Sequence, residues 1–459
     1  MPLTPDMRRQ IDQIRDYLFG GGYPNPMANA EQLSFLFFFY LIEGIDAENA
    51  QRATVLKQKH QSLFEGDWTL RNPLNAPKKG ETSIPKSRFR WSVWARGLSG
   101  EALVRFVQDE VFAFFEEVAD SSATNFMRGA RLNITEPTVL TQVVTLVDGL
   151  KLDQADSDTK GDLFEHVLKQ IKQAGELGQF RTPRHVIRAI VEMVDPKIGE
   201  TVYDPAAGTA GFLVAAYNHI RLANSSPAGI TETELDGKTQ RRGLGDRLSS
   251  AQLSTLQSKT FYGNDVDPQM VRLATMNLTL RGLPNVRILL RNVLTSTLDP
   301  EKREALELPE EGYHVVLANP PFAGKIDSDR VVDDVKIGNS KATEVLFLHV
   351  DNDGYKLDAN HDTPIEADDL PELVAAFGTR DGKLKEWAKR DPKAPWHEKW
   401  WFADATELRA NEFNLSAGRY RPVNASTAVH RDPRELLDEL AELEREIAAE
   451  VQTLREALV

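Results

Sequence analysis

The chain has 459 residues, enough for roughly two or three domains, and carries 69 acidic against 55 basic side chains for a net charge of −14. It holds no cysteine, which excludes disulfides, thiolate metal sites and cysteine nucleophiles together. A field of this sign argues against a self-sufficient DNA binder, so any grip on nucleic acid has to come from local basic patches or from a partner. The hydrophobic fraction of 41% and charged fraction of 27% are those of an ordinary soluble globular protein. No stretch reads as a signal peptide, and the most apolar run, Leu33 to Ile42, is too short to span a bilayer. A cytoplasmic location with no membrane partner is the expectation.

Residues 1–150 read as a helical N-terminal domain. Met7 to Leu18 has apolar positions at helical spacing and stops at Gly20-Gly21-Gly22. A buried helix follows over Glu31–Glu43, and another over Gly100–Ala119 with Ser99 placed as its cap. Between them, basic residues alternate with aromatics from Lys86 to Arg96. That mixture fits either a nucleic-acid surface or a core pair, Trp91 and Trp94, flanked by solvated arginines. Helices are predicted next at Ser157–Gln173 and Arg184–Val194, on either side of Gly178-Gln179-Phe180-Arg181-Thr182-Pro183. Taken locally, that segment is a loop in which Thr182 caps a helix with Pro183 at its first position.

Strand one, Glu200–Tyr203, runs into Asp204-Pro205-Ala206-Ala207-Gly208-Thr209-Ala210-Gly211 and then a helix over Phe212–Leu222. A strand, a glycine-rich turn and a helix in this order are where doubly wound α/β sheets bind nucleotide-like cofactors, although many such loops are only turns. Residues 223–258 look like a solvated insertion. Strand two, Thr260–Gly263, ends in Asn264-Asp265-Val266-Asp267-Pro268, where Asp265 or Asp267 could accept from both hydroxyls of a ribose. A helix over Gln269–Arg281 shows one apolar face of Met270, Leu273, Met276 and Leu278. Strand three is Val286–Leu290. Strand four, His314–Leu317, runs into Asn319-Pro320-Pro321-Phe322, whose two prolines remove two ladder donors and so lie past the strand end.

The glycine turn and Asn-Pro-Pro-Phe together resemble the S-adenosylmethionine-dependent adenine-N6 DNA methyltransferases. Gly178–Pro183 narrows the resemblance to the modification subunit of type I restriction-modification systems, whose members carry such a Gly-Gln-aromatic-x-Thr-Pro segment at this place. The resemblance covers about residues 5–345 and resumes from about 350. It implies an α/β fold, a Rossmann-like doubly wound methyltransferase sheet preceded by a helical domain and followed by a C-terminal coiled-coil helix. It implies S-adenosyl-L-methionine as cofactor, held by Gly178, Gln179, Phe180, Arg181, Thr182, Pro183, Asp204, Ala207, Gly208, Thr209, Gly211, Asp265 and Asn292. Asn319, Pro320, Pro321 and Phe322 would then form the catalytic tetrapeptide, with no metal. The implied partners are DNA, a specificity subunit, a second modification subunit and a restriction/translocase subunit.

The chemistry suits those residues. An exocyclic amine is a poor nucleophile because its lone pair is delocalised into the ring, and two acceptors on its hydrogens localise that pair. The side-chain oxygen of Asn319 and the carbonyl of Pro320 can serve, since proline holds that carbonyl in place. Phe322 offers a face for a base flipped from the duplex.

The chain departs from the family after strand four. A helix is expected at about Ala342–Leu348, with three further strands absent and nothing for Leu346, Phe347 and Leu348 to bury against. The join near 349–351 therefore reads as an internal deletion, or a gap closed up in numbering, of about a hundred residues. Residues 351–430 read as an extended connector. The last stretch, 431–459, reads as a partner-binding helix with a seam of Leu436, Leu440, Leu443, Ile447, Val451, Leu454 and Leu458, which could also dock in cis. Two classes of function follow: an adenine-N6 DNA methyltransferase acting as a modification subunit, or a non-catalytic cofactor-binding scaffold left by loss of the second half of the sheet. An RNA or protein N-methyltransferase shares the chemistry but not the flanking helices.

Overall fold

The computed structural model describes residues 5–55, 59–120, 126–152, 157–173, 182–235, 238–283, 285–320, 344–357, 361, 363–377, 399–411, 414–421, 437, 440–445, 447–449 and 451. By packing, residues 1–336 with 350–390 form one unit, and residues 337–349 with 391–459 form another.

The helical region of the first unit contains α1 (Pro5–Gly20), α2 (Pro26–Val55), β1 (Asp67–Thr69), β2 (Ser83–Pro85) and α3 (Trp91–Gly97). It continues with α4 (Gly100–Phe106), which runs through a π-helical turn, Val107–Val111, into α5 (Phe112–Asp120), and then α6 (Pro137–Gly149) and α7 (Ser157–Gln173). Apolar residues at helical spacing account for these elements, and their rings interlock: Phe39 stacks on Phe115 at 4.7 Å and Phe35 meets Phe112 edge-on at 5.1 Å. Trp91 and Trp94 are both buried, so the basic-aromatic stretch is a core pair with solvated neighbours. Trp91 Nε1 donates to Asp148 at 2.9 Å, and the Arg90 guanidinium lies over the Phe64 ring. Ser99 occupies the cap position of α4 but makes no side-chain cap bond. The π turn brings in Glu110, a fully buried carboxylate that accepts from Trp68 Nε1, the Asn72 and Arg71 amides and Asn75 Nδ2 at 2.8–3.1 Å. Four donors offset the cost of taking that charge out of water.

The α/β part follows as α8 (Arg184–Val194), β3 (Val202–Asp204), α9 (Gly211–Ala223), β4 (Ile230–Leu235), β5 (Lys238–Gly243), α10 (Ser250–Ser258), β6 (Phe261–Asp265), α11 (Pro268–Leu280), β7 (Arg287–Leu290), α12 (Pro300–Ala305) and β8 (Val315–Val316). Strands β3, β6, β7 and β8 form one parallel sheet in the order β7-β6-β3-β8. Parallel neighbours require crossover connections, which α9 to α12 supply. From β3 the chain steps outward to β6 and β7, then returns to place β8 on the other side of β3. The order therefore reverses between β3 and β8, and a crevice outside their carboxyl ends is where ligands of such sheets lie.

Residues 223–258, expected as a solvated insertion, lie mostly at the surface but carry regular structure. They form an antiparallel hairpin with Leu235 opposite Lys238, followed by α10 with a capping box at Ser249 and Gln252. The sequence missed the hairpin because its strands are charged and alternate weakly. Helix α11 is buried on both sides rather than on one. Met270, Leu273, Met276 and Leu280 join the core of the helical region along with Leu163, Phe164 and Val167 of α7. Val271, Ala274 and Leu278 face the core under the sheet. Glu31 of α2 ties the two parts, pairing with Arg272 at 2.8 Å and accepting from Gln269.

The stretch expected as an extended connector contributes structure to both units. In the first unit β10 (Asp353–Tyr355) pairs antiparallel with β11 (Pro364–Asp368), and α13 (Leu370–Phe377) packs against α8. In the second, the segment expected as a helix after Ala342 is instead β9 (Glu344–Leu348), paired antiparallel with β12 (Trp400–Asp404), which leads into α14 (Ala405–Ala410). Helical spacing loses here because Phe347 finds aromatic partners across the pair, stacking on Trp401 and Tyr420 at 5.9 and 5.3 Å. Phe347 thus has a core to bury against, while Leu346 and Leu348 are only partly buried. Among the described residues the parallel sheet has four strands.

Candidate active site

The loop after β3 is shaped by its own backbone. Asp204 is 1% exposed, and its Oδ1 accepts from the Ala206 amide at 3.0 Å. Gly208 and Ala210 both take positive φ, +52° and +66°, so the chain turns through two left-handed residues before α9 starts at Gly211. The turn lies close over β6. A Cβ on Gly263 would meet Ala207 Cβ at 3.2 Å and Ile288 at 2.9 Å, so only glycine there lets the loop come down. Asn277 on α11, fully buried, donates to the Thr209 carbonyl at 2.8 Å and holds the far side of the loop. Neither Gly263 nor Asn277 stood out in the sequence, because a lone strand glycine and a helical asparagine carry no motif.

Asp265 and Asp267 separate by geometry. Asp265 stands at the tip of β6, where its two oxygens accept from the Gly208 amide at 2.8 Å and the Asp267 amide at 2.9 Å. Its carboxylate therefore couples the glycine turn to the second strand end. Asp267 caps α11 by accepting from the Gln269 amide at 2.8 Å, which is the plain structural role of an acidic residue before a proline-led helix. Burial pushes the Asp204 carboxyl up to about 7, opposed by the Ala206 amide and reinforced by the negative charge of Asp265. Two carboxylates thus converge on one loop, the buried one favouring its neutral form. Asn292 lies just past β7 on the surface, and its side-chain oxygen accepts from the Leu294 amide at 3.0 Å. The next-door Arg291 amide donates to the Asp265 carbonyl at 2.9 Å, so Asn292 follows directly on that strand end.

Across the switch point, β8 delivers Asn319 and Pro320. Asn319 Nδ2 donates to Thr182 Oγ1 at 2.7 Å, which joins two motifs 137 residues apart. Thr182 is not the cap of α8. Pro183 takes the cap position with no side-chain bond, the helix starts at Arg184, and the Thr182 hydroxyl oxygen accepts from Asn319 instead. Gly178, Gln179, Phe180, Arg181, Pro321 and Phe322 lie outside the described residues. Helix α7, which leads toward that segment, is anchored by arginines from three elements: Arg242 of β5 to Asp162 at 2.6 Å, Arg221 of α9 to Asp158 at 2.9 Å, and Arg281 beyond α11 to Glu165 at 3.0 Å. Arg184 pairs with the same Glu165.

Two pairings thus stand past the strand ends: Asp265 with the Asp204–Gly211 turn, and Asn319 with Thr182. Two family models match the sequence: the N-6 DNA Methylase model over residues 155–340, which contains these residues, and the HsdM N-terminal domain model over residues 7–147. Residues 155–340 are thus similar to the N-6 DNA methylases, and residues 7–147 to the HsdM N-terminal domain. Among curated relatives, the type I restriction enzyme EcoEI methylase subunit of Escherichia coli is 29% identical over 262 residues, covering 52% of this chain and 45% of that subunit. The StySPI methylase subunit of Salmonella potsdam is 33% identical over 202 residues, covering 41% of this chain and 33% of that one. The matches therefore span less than half the length of these relatives. A solved chain from work on complex assembly and conformational transition of the type I R-M system superposes with a TM-score of 0.59 at 19% identity, covering 100% of this chain and 99% of that one. At that identity the likeness shows the fold. No described helix is long and apolar enough to cross a membrane.

Proposed function

We propose that this chain is the modification subunit of a type I restriction-modification complex, an adenine-N6 DNA methyltransferase that uses S-adenosyl-L-methionine. The observation that carries the reading is the Asn319–Thr182 hydrogen bond, at 2.7 Å, across the switch point from the Asp204–Gly211 turn. It sets an acceptor-bearing asparagine, followed by a proline carbonyl, beside the loop that suits the cofactor. The cleft fits that cofactor in its donor set: Asp265 for the ribose hydroxyls, and a turn brought down on Gly263 so that backbone can approach the ligand. Gly178 to Pro183 and Asn292 complete the cofactor set in this reading. A doubly wound arrangement of the sheet belongs to it as well.

When bound, S-adenosylmethionine supplies an electrophilic methyl group. The chain's own residues prepare the nucleophile. With its amide nitrogen directed to Thr182, Asn319 is oriented, and its oxygen accepts one hydrogen of the target amine while the Pro320 carbonyl accepts the other. Both acceptors draw the lone pair out of the ring, and fixed placement lowers the barrier further. Phe322 stacks the flipped adenine.

The acidic charge of −14 favours a complex in which a partner grips the DNA. The C-terminal stretch supports the same view, because Leu440, Leu443, Ile447 and Val451 are helical and 58%, 56%, 61% and 44% exposed. In this reading the stripe pairs with a specificity subunit, and a second modification subunit and a restriction/translocase subunit complete the assembly in the cytoplasm. The test is transfer of labelled methyl to DNA by the assembled complex, run beside a cofactor titration. Asn319→Ala should abolish incorporation while cofactor affinity changes by less than about threefold. Activity near wild type in that variant would overturn the assignment.

A further inference from the structure

A second cluster of chemically capable side chains lies outside the crevice. His185, in the first turn of α8, directs Nε2 to Asp353 Oδ2 at 2.8 Å. His361 directs Nε2 to the same carboxylate at 3.0 Å from Oδ1 and 2.9 Å from Oδ2. One donor atom from each residue can be chosen so that all three lie within 4.8 Å of one another. The side chains are 11%, 18% and 13% exposed, so the cluster is mostly shielded but not sealed from solvent. The residues are 168 and 8 positions apart in sequence, which is why no motif announces them.

The surroundings hold the donors in place. The Tyr355 ring stacks on His185 at 4.2 Å, and the two imidazoles meet edge-on at 5.4 Å. Gly354, between Asp353 and Tyr355, takes φ +83°, and His361 itself takes φ +50°, a conformation few side chains adopt. The pairing of β10 with β11 shifts register between Asp353 and Tyr355. The hairpin is thus bent at the carboxylate, and the His361 side chain meets that carboxylate.

We propose that His185, Asp353 and His361 bind a divalent transition-metal ion of the zinc class. Two imidazole nitrogens and one carboxylate are the donor set that such ions take, whereas magnesium and calcium prefer oxygen alone. Donors on bonds of about 2.0–2.2 Å around a tetrahedral ion sit roughly 3.3–3.5 Å apart. The His–Asp separations are already a little shorter than that, so the carboxylate needs only to yield slightly, and a small rotation of the rings brings the nitrogens within reach. Three protein ligands leave a fourth position for water. The ion would staple the β10–β11 hairpin to the first turn of α8, three residues beyond Thr182, and so fix the ground on which Asn319 is oriented. This role rests on the methyltransferase reading; the binding itself does not.

The test uses the full chain and Zn2+ alone, by equilibrium dialysis with metal analysis, with Co2+ as a spectroscopic substitute. One equivalent of Zn2+ should bind, Mg2+ should not compete, and Co2+ should give the visible d–d bands of a nitrogen-ligated site. His361→Gln should weaken binding by about a hundredfold or more, since loss even of a ligand's supporting partner costs about 10–100-fold. Far-UV circular dichroism and cofactor affinity serve as folding controls, and Asp353→Asn carries the same comparison if His361→Gln does not fold. Failure of the wild-type chain to bind an equivalent, or equal binding by the variants, would overturn the site. Either result would leave the methylation test untouched.

Discussion

Asp204 is a carboxyl sealed under the glycine turn, and its burial has a measurable consequence. Its pKa is pushed from 3.8 up to about 7, chiefly by burial, and that difference corresponds to about 4 kcal/mol between the protonated and ionised forms. The folded state keeps the proton to a higher pH than the unfolded chain does. The stability associated with it is therefore full below about pH 4 and is lost as pH rises toward about 7. Asp204→Asn keeps an oxygen for the Ala206 amide and removes the charge, at the expense of burying a new amide donor. A net gain of about 2 kcal/mol near pH 8, turning into a net loss of about 2 kcal/mol near pH 4, is the expected difference between variant and wild type, because the charge penalty of about 4 kcal/mol vanishes while the cost of the buried amide stays. Urea unfolding of both proteins across that range gives the difference directly, since other titrating groups cancel. A difference independent of pH, or a variant less stable near pH 8, would refute the reasoning.

Asp265→Ala should weaken S-adenosylmethionine binding by about 1.5–3 kcal/mol, because it removes a charged acceptor and frees the Gly208 and Asp267 amides, and calorimetry reads this. An unchanged affinity would remove Asp265 from the site. Thr182→Val should lower the methylation rate by about 10–100-fold by releasing the Asn319 amide, and Thr182→Ser should restore it, as single-turnover kinetics will show. Leu443→Glu with Ile447→Glu should abolish co-elution with a specificity subunit while leaving cofactor affinity unchanged; retained co-elution would assign the stripe another role.

The sheet was largely legible because its strands are short apolar runs ended by turn chemistry: Tyr203 before Asp204, Leu317 before Asn319-Pro320. Helices α7 and α8 match their predicted bounds because a strong apolar periodicity stops at clear breakers. The β4–β5 hairpin and β9 escaped because their pairing partners, not their own patterns, decide them. Phe347 is a strand residue only where Trp401 and Tyr420 are present to receive it. In the site, Asp265 and Asp267 could not be told apart by composition; the hydrogen bond from the Gly208 amide to one and the capping role of the other separate them. Asn277, Gly263 and the His185–Asp353–His361 cluster were invisible for a shared reason, since each acts through a contact distant in sequence.

The central claim is that Asn319, held by Thr182, prepares an exocyclic adenine amine for methyl transfer. Its most direct test is mass analysis of nucleosides from DNA treated with the assembled complex and labelled cofactor. The account predicts labelled N6-methyladenine with the wild-type chain and none with Asn319→Ala. Label found on cytosine, or N6-methyladenine formed undiminished by the variant, would contradict it.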